Sequence, residues 1–79
     1  MYYAYILKSK VDGSFYKGST GNLESRLLQH NAGRCNYTSR KVPWEIIYYE
    51  VFNTREEALK REKYFKTAAG RRFIKRLEL

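Results

Sequence analysis

Glu62 is a carboxylate that interrupts an otherwise apolar stripe of a predicted helix. At ~100° per residue, that stripe is formed by Ala58, Leu59, Phe65 and Ala69. A charged group amid buried apolar side chains costs free energy unless it is paired or binds a cation. Patterning rules are most often broken at functional sites, although structural ion pairs use such positions too. Glu62 is therefore a candidate metal ligand, with an ion pair to Arg26 or to a lysine as the alternative.

Arg26 and His30 lie four residues apart in another predicted helix, so their side chains share one face. Taken singly, each fits an ordinary role, because solvated arginines and satisfied core histidines are common. Phosphodiester cleavage, however, needs an activated water, a divalent cation, a positive group on the scissile phosphate and a proton for the leaving oxygen. A candidate set for these roles is Tyr5, Arg26, His30 and Glu62.

A lone carboxylate ligand suggests which cation such a site would use. Magnesium keeps several of its waters and accepts one or two carboxylates together with substrate phosphate. Because Glu62 stands alone in this candidate set, the expected cofactor is Mg²⁺, or Mn²⁺ in its place.

The N-terminal segment is predicted to form a β-hairpin. Residues 2–8 are an aromatic and β-branched run, Asp12-Gly13 is a turn signal, and residues 15–18 form a short second strand. Because side chains alternate across a strand, two faces are expected, one with Tyr3, Tyr5 and Leu7 and the other with Tyr2, Ala4 and Ile6. Strand propensity and core packing are the ordinary explanation for such tyrosines.

The middle of the chain is predicted to contain a helix and a third strand. Asn22 is a suitable cap for a helix over residues 23–31, and Gly33 is its stop signal. Residues 45–52 have the strongest strand propensity in the chain. Their apolar side chains on both faces predict a central strand that is covered twice.

The C-terminal part is predicted to be helical. Thr54 and Glu57 form a capping box that opens a helix reaching about Ala68, after which Gly70 interrupts and residues 71–77 form a short basic helix. The order of elements predicts an α+β fold, β-β-α-β-α-α, in which helices flank a three-stranded, mostly antiparallel sheet. All 79 residues are expected to form a single domain.

The composition favours a polyanionic partner. Sixteen Lys and Arg against eight Asp and Glu give a formal net charge of +8. Nucleic acid is the simplest partner for such a chain, with a generally basic solvated surface as the alternative. The single cysteine, Cys35, excludes an intrachain disulfide and a thiol-based metal cluster. No apolar run approaches the ~20 residues of a membrane span and no signal-peptide pattern is present, so a cytoplasmic location without membrane contact is expected.

The predicted hairpin resembles the one for which the GIY-YIG nucleases are named. Ala4-Tyr5-Ile6 is followed about ten residues later by Tyr16-Lys17-Gly18. Both tyrosines and the second glycine of the family pattern are kept. The first glycine is replaced by alanine and the second isoleucine by lysine, and neither change removes a catalytic group.

The rest of the chain continues this resemblance in register. The family's arginine on the first helix matches Arg26, and a histidine found one turn later in several members matches His30. Its metal-binding glutamate, in the helix after the third strand, matches Glu62. Residues 37–40 and 56–62 resemble the small, single-domain bacterial branch, which is similar to the catalytic subunits of structure-specific resolvases.

The resemblance implies a one-metal endonuclease that hydrolyses DNA, of the type that acts in DNA repair and recombination. It implies that Tyr5 acts as general base or positions the water, with help from Tyr16. It also implies that Arg26 holds the phosphate and Glu62 the Mg²⁺. A tyrosine with a pKa of about 10 is a poor base at neutral pH. The cation or a neighbour such as Lys17 would have to draw its proton away, unless Lys17 contacts the phosphate directly.

Basic side chains are expected to hold the backbone phosphates, with a solvated basic face as the alternative. The candidates are Lys17, Arg40, Lys66, Arg71, Arg72, Lys75 and Arg76. Lys41 and Trp44 could add a contact or a stacking surface, although Trp44 fits the core equally well.

The expected partner is DNA, with branched and single-stranded forms both left open, and a protein partner could supply specificity. Two other functions stay open. One is a non-catalytic nucleic-acid-binding module on the same fold, and the other is an adaptor whose tyrosine-rich face binds a protein. The carboxylate in the apolar stripe favours the nuclease over the binding module, because the module has no need of it.

Overall fold

A computed structural model describes residues 1–35 and 37–77 of the chain. In chain order the elements are β1 (Tyr2–Ser9), β2 (Phe15–Thr20), α1 (Leu23–Asn31), a 3-10 helix (Ser39–Lys41), β3 (Trp44–Phe52), α2 (Arg55–Phe65) and α3 (Ala68–Leu77). The three strands pair antiparallel in one sheet, so the predicted α+β fold is confirmed. No helix in this part of the chain combines the length and the apolar composition needed to cross a bilayer.

β1 is the central strand, because the strand order is β2-β1-β3. The predicted alternation of its faces is confirmed. Tyr5 and Leu7 pack with Leu27 of α1 on one face, and Ile6 packs with Phe65 of α2 on the other. Burying each such side chain contributes roughly 1.5–3 kcal/mol to stability. The core therefore consists of two layers, one on each side of β1.

β3 is an edge strand, so the prediction that the third strand is central is wrong. Apolar side chains on both faces do not require two neighbouring strands, because their burial depends on how far the helices extend. Tyr48 packs into the α2 side, whereas Tyr49 and Val51, on the α1 side, are 51% and 46% exposed. In the pairing of β1 with β3, Ile6 faces Tyr48 and Leu7 faces Ile46, so Ile47 is an extra residue that interrupts the alternation of β3.

α1 begins where the sequence predicts, because the side chain of Asn22 accepts a hydrogen bond from the Ser25 backbone N–H at 3.0 Å. At its other end, the Asn31 side-chain amide makes two hydrogen bonds with the Trp44 backbone, which tie α1 to the start of β3. The Trp44 indole is buried and donates to the Thr38 carbonyl at 2.9 Å. Trp44 is therefore a core residue and not a stacking surface.

The break between the last two helices lies before Gly70. The capping box at Thr54 is confirmed, but α2 ends at Phe65 and α3 already begins at Ala68. The Thr67 hydroxyl accepts a hydrogen bond from the Gly70 N–H and caps α3. A Cβ at Gly70 would lie 2.6 Å from the Phe65 Cα. The prediction that Gly70 interrupts the helix is wrong, because this glycine instead allows α2 and α3 to approach each other closely.

Candidate functional site at the edge of β2

The edge of β2 is where the two helical layers meet. On this strand, Tyr16 and Gly18 share a face with Tyr5, whereas Lys17 and Ser19 point to the side of α2. Residues from β2, α1 and α2 line a common cleft at this edge. Side chains from both faces of the sheet can therefore reach the same place.

Tyr5 reaches the β2 edge because Gly18 has no side chain. A Cβ at position 18 would lie 2.5 Å from the Tyr5 hydroxyl oxygen and 2.6 Å from its Cζ. No side chain fits at such distances, so the tyrosine ring can cross the β2 backbone only over a glycine. The second glycine of the hairpin pattern thus has a packing explanation.

A buried chain of hydrogen bonds starts at the Tyr5 hydroxyl. The hydroxyl lies 3.1 Å from Nε2 of His30, and Nδ1 of His30 lies 2.9 Å from the Thr38 hydroxyl. Thr38 donates its own proton to the Cys35 carbonyl at 3.3 Å, so it accepts a hydrogen bond from Nδ1–H. A neutral imidazole carries only one N–H. Nε2 is therefore unprotonated and accepts the Tyr5 proton in a hydrogen bond.

The pKa values of this chain shift in the directions that keep it uncharged. Burial, with the nearby charge of Arg26, lowers the pKa of His30 to about 4. Burial raises the pKa of Tyr5 to about 12, against a hydrogen bond from Arg26 that lowers it. The same hydrogen bond raises the pKa of Arg26. At neutral pH a cationic guanidinium therefore lies beside a neutral tyrosine and a neutral histidine.

Glu62 lies on the α2 side of the same edge. The Ser19 hydroxyl donates to its Oε1 at 2.7 Å, and the Lys66 ammonium donates to its Oε2 at 2.9 Å. Its side chain is 18% exposed, which places it between core and solvent. The charge of Glu62 raises the pKa of Tyr5, so the two groups interact across the β2 edge. Of the ion pairs considered from the sequence, the one observed is with a lysine and not with Arg26.

Tyr16 completes the cluster by packing against His30. Their ring centroids lie 4.7 Å apart in an edge-to-face arrangement, and the Tyr16 and Tyr5 rings are 6.4 Å apart. The structure thus brings to one edge of the sheet all the residues predicted to be catalytic, which are Tyr5, Tyr16, Arg26, His30 and Glu62. Their catalytic roles stay predictions.

The cleft at this edge has a volume of about 330 Å³. Arg26 lines it from α1, and Arg55, the first residue of α2, lines it too. Arg55 was not predicted from the sequence. Its position carried a signal, however, because the first turn of a helix favours acidic side chains over basic ones. A guanidinium directly after the Thr54 cap therefore does not stabilise the helix, although this alone does not predict its place in the cleft.

Several of the predicted DNA-binding residues lie next to this site. Burial and the charges of Arg71 and Lys66 lower the pKa of Lys17, so these three cations are close together. Arg72, Lys75 and Arg76 are exposed farther along α3, and Arg40 is exposed on the 3-10 helix. The basic surface thus extends from β2 onto the last helix.

The residues present could hold only a metal ion that takes most of its ligands from water and substrate. Among residues 1–35 and 37–77, no group of three or more His, Cys, Asp or Glu side chains could hold an ion. Glu62 alone suits Mg²⁺, which accepts a single carboxylate together with water and phosphate oxygens. Lys66, whose ammonium is largely exposed, is the group that would have to move away from the carboxylate.

Comparisons with known proteins agree with this fold. The family model of the GIY-YIG catalytic domain matches residues 1–75. This chain belongs to the GIY-YIG family.

Its relatives include small bacterial proteins of the UPF0213 group. The chain is 41% identical over 75 residues to a UPF0213 protein of Staphylococcus saprophyticus, covering 94% of this chain and 90% of that protein. It is 40% identical over 78 residues to one of Staphylococcus haemolyticus, covering 98% and 94%. The solution NMR structure of a UPF0213 protein from Bacillus halodurans matches with a TM-score of 0.56 and 31% identity, covering 98% and 85%. The predicted family and fold are confirmed.

The neutral state of His30 predicts how stability depends on pH. The pKa of His30 is about 4 in the folded chain, below its ordinary value of 6.5, so the unfolded chain takes up a proton that the folded chain does not. The stability that the folded chain gains from a neutral His30 is complete above pH 6.5, falls as the pH decreases, and is lost by about pH 4. Urea denaturation at several pH values should show a loss of roughly 2–3 kcal/mol in the free energy of unfolding.

The matched control is His30→Gln, which cannot titrate and should show a smaller loss over the same range. Asp12 does not interfere, because its pKa is lowered from 3.8 to about 2 and its contribution is lost only below this range. The variant should start from a lower stability, so the slope of the free energy of unfolding against pH is compared between the two proteins. Equal slopes would contradict the buried, neutral histidine.

Proposed function

We propose that this chain is a metal-dependent endonuclease that hydrolyses phosphodiester bonds in DNA. The observation that supports this proposal is the convergence of three unlike groups at the β2 edge. These are the hydrogen-bonded pair of Tyr5 and His30, the Arg26 guanidinium and the half-buried Glu62 carboxylate. The match to a GIY-YIG catalytic domain supports the same reaction class.

The cleft suits a phosphate group. A guanidinium binds phosphate through paired N–H donors, and such charge-assisted hydrogen bonds are the strong ones. Arg26 would hold the scissile phosphate. Because Arg26 contacts the Tyr5 hydroxyl, a phosphate bound to it would lie beside the tyrosine that orients the water. Arg55 lines the same cleft and would hold a phosphate next to it. In the part of the chain that the structure describes, no carboxylate that would repel the substrate lines this cleft.

Tyr5 would orient the attacking water. Its raised pKa makes it a poor base in the resting protein, so the second of its two implied roles is favoured. Its O–H donates to His30 and one lone pair of the phenol oxygen accepts a hydrogen bond from Arg26, so the remaining lone pair would accept the hydrogen bond from the water. Neutral His30 would hold the Tyr5 hydroxyl in this orientation through the hydrogen bond that it accepts. Lys17 lies on the opposite face of β2, beside Lys66 and Arg71, which favours a phosphate contact.

Glu62 would hold the cofactor, Mg²⁺ or Mn²⁺. A bound ion of this kind would polarise the phosphate and stabilise the leaving oxygen. The Ser19 hydroxyl fixes one oxygen of the carboxylate, and the other oxygen accepts a hydrogen bond from the exposed side chain of Lys66. Released from the carboxylate, Lys66 would be free to contact a backbone phosphate.

One observation favours the alternative function, a nucleic-acid-binding module without catalysis. Both oxygens of Glu62 already have protein partners, Ser19 and Lys66, so the carboxylate is satisfied without a cation. In that case the basic residues alone would account for DNA binding. A change at Glu62 distinguishes the two functions.

We expect Glu62→Gln to abolish Mg²⁺-dependent cleavage and to change the free energy of unfolding by less than about 1 kcal/mol. The glutamine oxygen can still accept the hydrogen bond from Ser19. The lost ion pair is with a largely exposed lysine, and such pairs contribute only about 0.2–1 kcal/mol. The measurement is a cleavage assay with Mg²⁺ or Mn²⁺ on single-stranded, duplex, flap and branched DNA, together with thermal melts. Mg²⁺ should raise the melting temperature of the wild type but not of the variant.

The matched control is Glu56→Gln, which removes an exposed carboxylate from the same helix and should leave cleavage unchanged. If Glu62→Gln still cleaves DNA, Glu62 is not a catalytic metal ligand. Strong destabilisation of that active variant would identify Glu62 as a structural residue. A wild-type protein that binds all four DNA forms and cleaves none would favour the binding module.

The basic surface predicts salt-sensitive DNA binding. Each phosphate that is neutralised contributes about 0.7–0.9 to the slope of log K against log salt. Replacing Arg71, Arg72, Lys75 and Arg76 together with alanine should reduce that slope by up to about 3, as measured by titrations at several salt concentrations. Replacing the same arginines with lysine keeps the charge and should keep the slope. An unchanged slope in the alanine variant would show that α3 does not touch the phosphates.

A further inference from the structure

We propose that an unpaired nucleobase stacks on a platform formed by Phe15, Tyr16 and Tyr37, next to the phosphate that is cleaved. This inference rests on the proposed nuclease function and adds a substrate class to it. The substrate would be single-stranded nucleic acid, or a strand whose base beside the cut is unpaired. These three residues form the aromatic platform.

The aromatic platform forms the floor of a shallow cavity of about 280 Å³. Tyr37 is 60% exposed, yet its ring is held in place from two directions. The Tyr16 ring lies 6.0 Å away at an angle of 36°, and the Lys41 ammonium lies over the Tyr37 ring at 5.5 Å. Lys41 is itself paired with Asp12 at 3.4 Å. An exposed ring that is already oriented binds a flat partner at a lower cost in entropy.

The chemistry around the platform matches a nucleotide. Lys17 and Lys66 line the same cavity, and among residues 1–35 and 37–77 no carboxylate lines it. Aromatic rings bordered by cations are the features by which proteins bind single strands, because any base can stack while the cations hold the backbone. A base inside a duplex has both faces covered by its neighbours, so only an unpaired base can use the platform.

The platform is continuous with the proposed cleavage site. Glu62 links the two cavities, because it is bonded to Ser19, which lines the arginine cleft, and to Lys66, which lines the platform cavity. Lys17 and Ser19 are two residues apart on one face of β2, or about 7 Å. One nucleotide of an extended strand can cover that distance. A strand whose scissile phosphate lies at Glu62 would thus place an adjacent base on the platform.

The test uses a short single-stranded DNA that contains 2-aminopurine, whose fluorescence falls when the base stacks, with EDTA present to prevent cleavage. The probe is moved one position at a time along the strand. Wild-type protein should quench it at one or two positions. Tyr37→Ala should abolish that quenching and weaken binding about 5- to 150-fold, the loss expected for one stacked base. Tyr37→Trp should retain both, since it keeps an aromatic face.

The matched control is Tyr49→Ala, which removes a tyrosine of similar exposure from β3 and should change neither quenching nor affinity. A second measurement needs no protein variant. An abasic residue at the quenched position should weaken binding to the wild type by a similar factor. The abasic residue should cause no further loss of affinity for Tyr37→Ala, because that variant already lacks the stacking contact between the base and the Tyr37 ring.

The platform is overturned if Tyr37→Ala binds and quenches as the wild type does, or if the abasic strand binds as tightly as the intact one. Either result leaves the nuclease proposal standing if the wild type cleaves DNA and Glu62→Gln does not. If the wild type shows base-dependent binding and cleaves no DNA with Mg²⁺ or Mn²⁺, the platform is supported and the nuclease is overturned.

Discussion

The passage of the Tyr5 ring over the β2 backbone at Gly18 is the contact on which the site depends. It carries a polar hydroxyl into a buried place, where an unpaired group would cost free energy. His30 of α1 and Thr38 of the following loop remove that cost by extending one hydrogen-bond chain to the Cys35 carbonyl. The hairpin, the first helix and the loop before β3 are therefore coupled through a single buried polar network, which is rigid only when every member is satisfied.

The sheet separates a neutral half of the site from a charged half. On the α1 side, burial keeps the side chains of Tyr5 and His30 uncharged. On the α2 side, Glu62 and Lys66 form an ion pair at the edge of the solvent. Arg26 joins the two halves, because its cation contacts the tyrosine and faces the cleft. Fixed charges and dipoles at a partly dry edge act on a phosphate more strongly than they would in water, which is the physical basis for the proposed chemistry.

Features set by neighbouring residues were predictable from the sequence, and features set by distant contacts were not. The hairpin and both helix caps follow from local turn and capping chemistry. Glu62 was found because it interrupts the predicted apolar stripe of its helix, and its partner Lys66 lies one turn away. Ala58 and Phe65 of that stripe are buried. Leu59 is exposed and Ala69 belongs to α3, so this part of the prediction is wrong for these two residues. Its other partner, Ser19, comes from β2 and could not be predicted. The edge position of β3, the close approach at Gly70 and the place of Arg55 in the cleft likewise depend on how separate elements pack.

The hydrogen bond that the Tyr5 hydroxyl donates to an uncharged His30 is tested most directly by ¹⁵N NMR of the imidazole. At neutral pH, Nδ1 should carry a directly bonded proton and Nε2 should have the chemical shift of an unprotonated nitrogen that accepts a hydrogen bond. Both shifts should stay unchanged as the pH is lowered from 7 until it approaches about 4. A proton on Nε2, or titration of the ring at the ordinary pKa of 6.5, would contradict a neutral His30 that accepts a hydrogen bond from Tyr5.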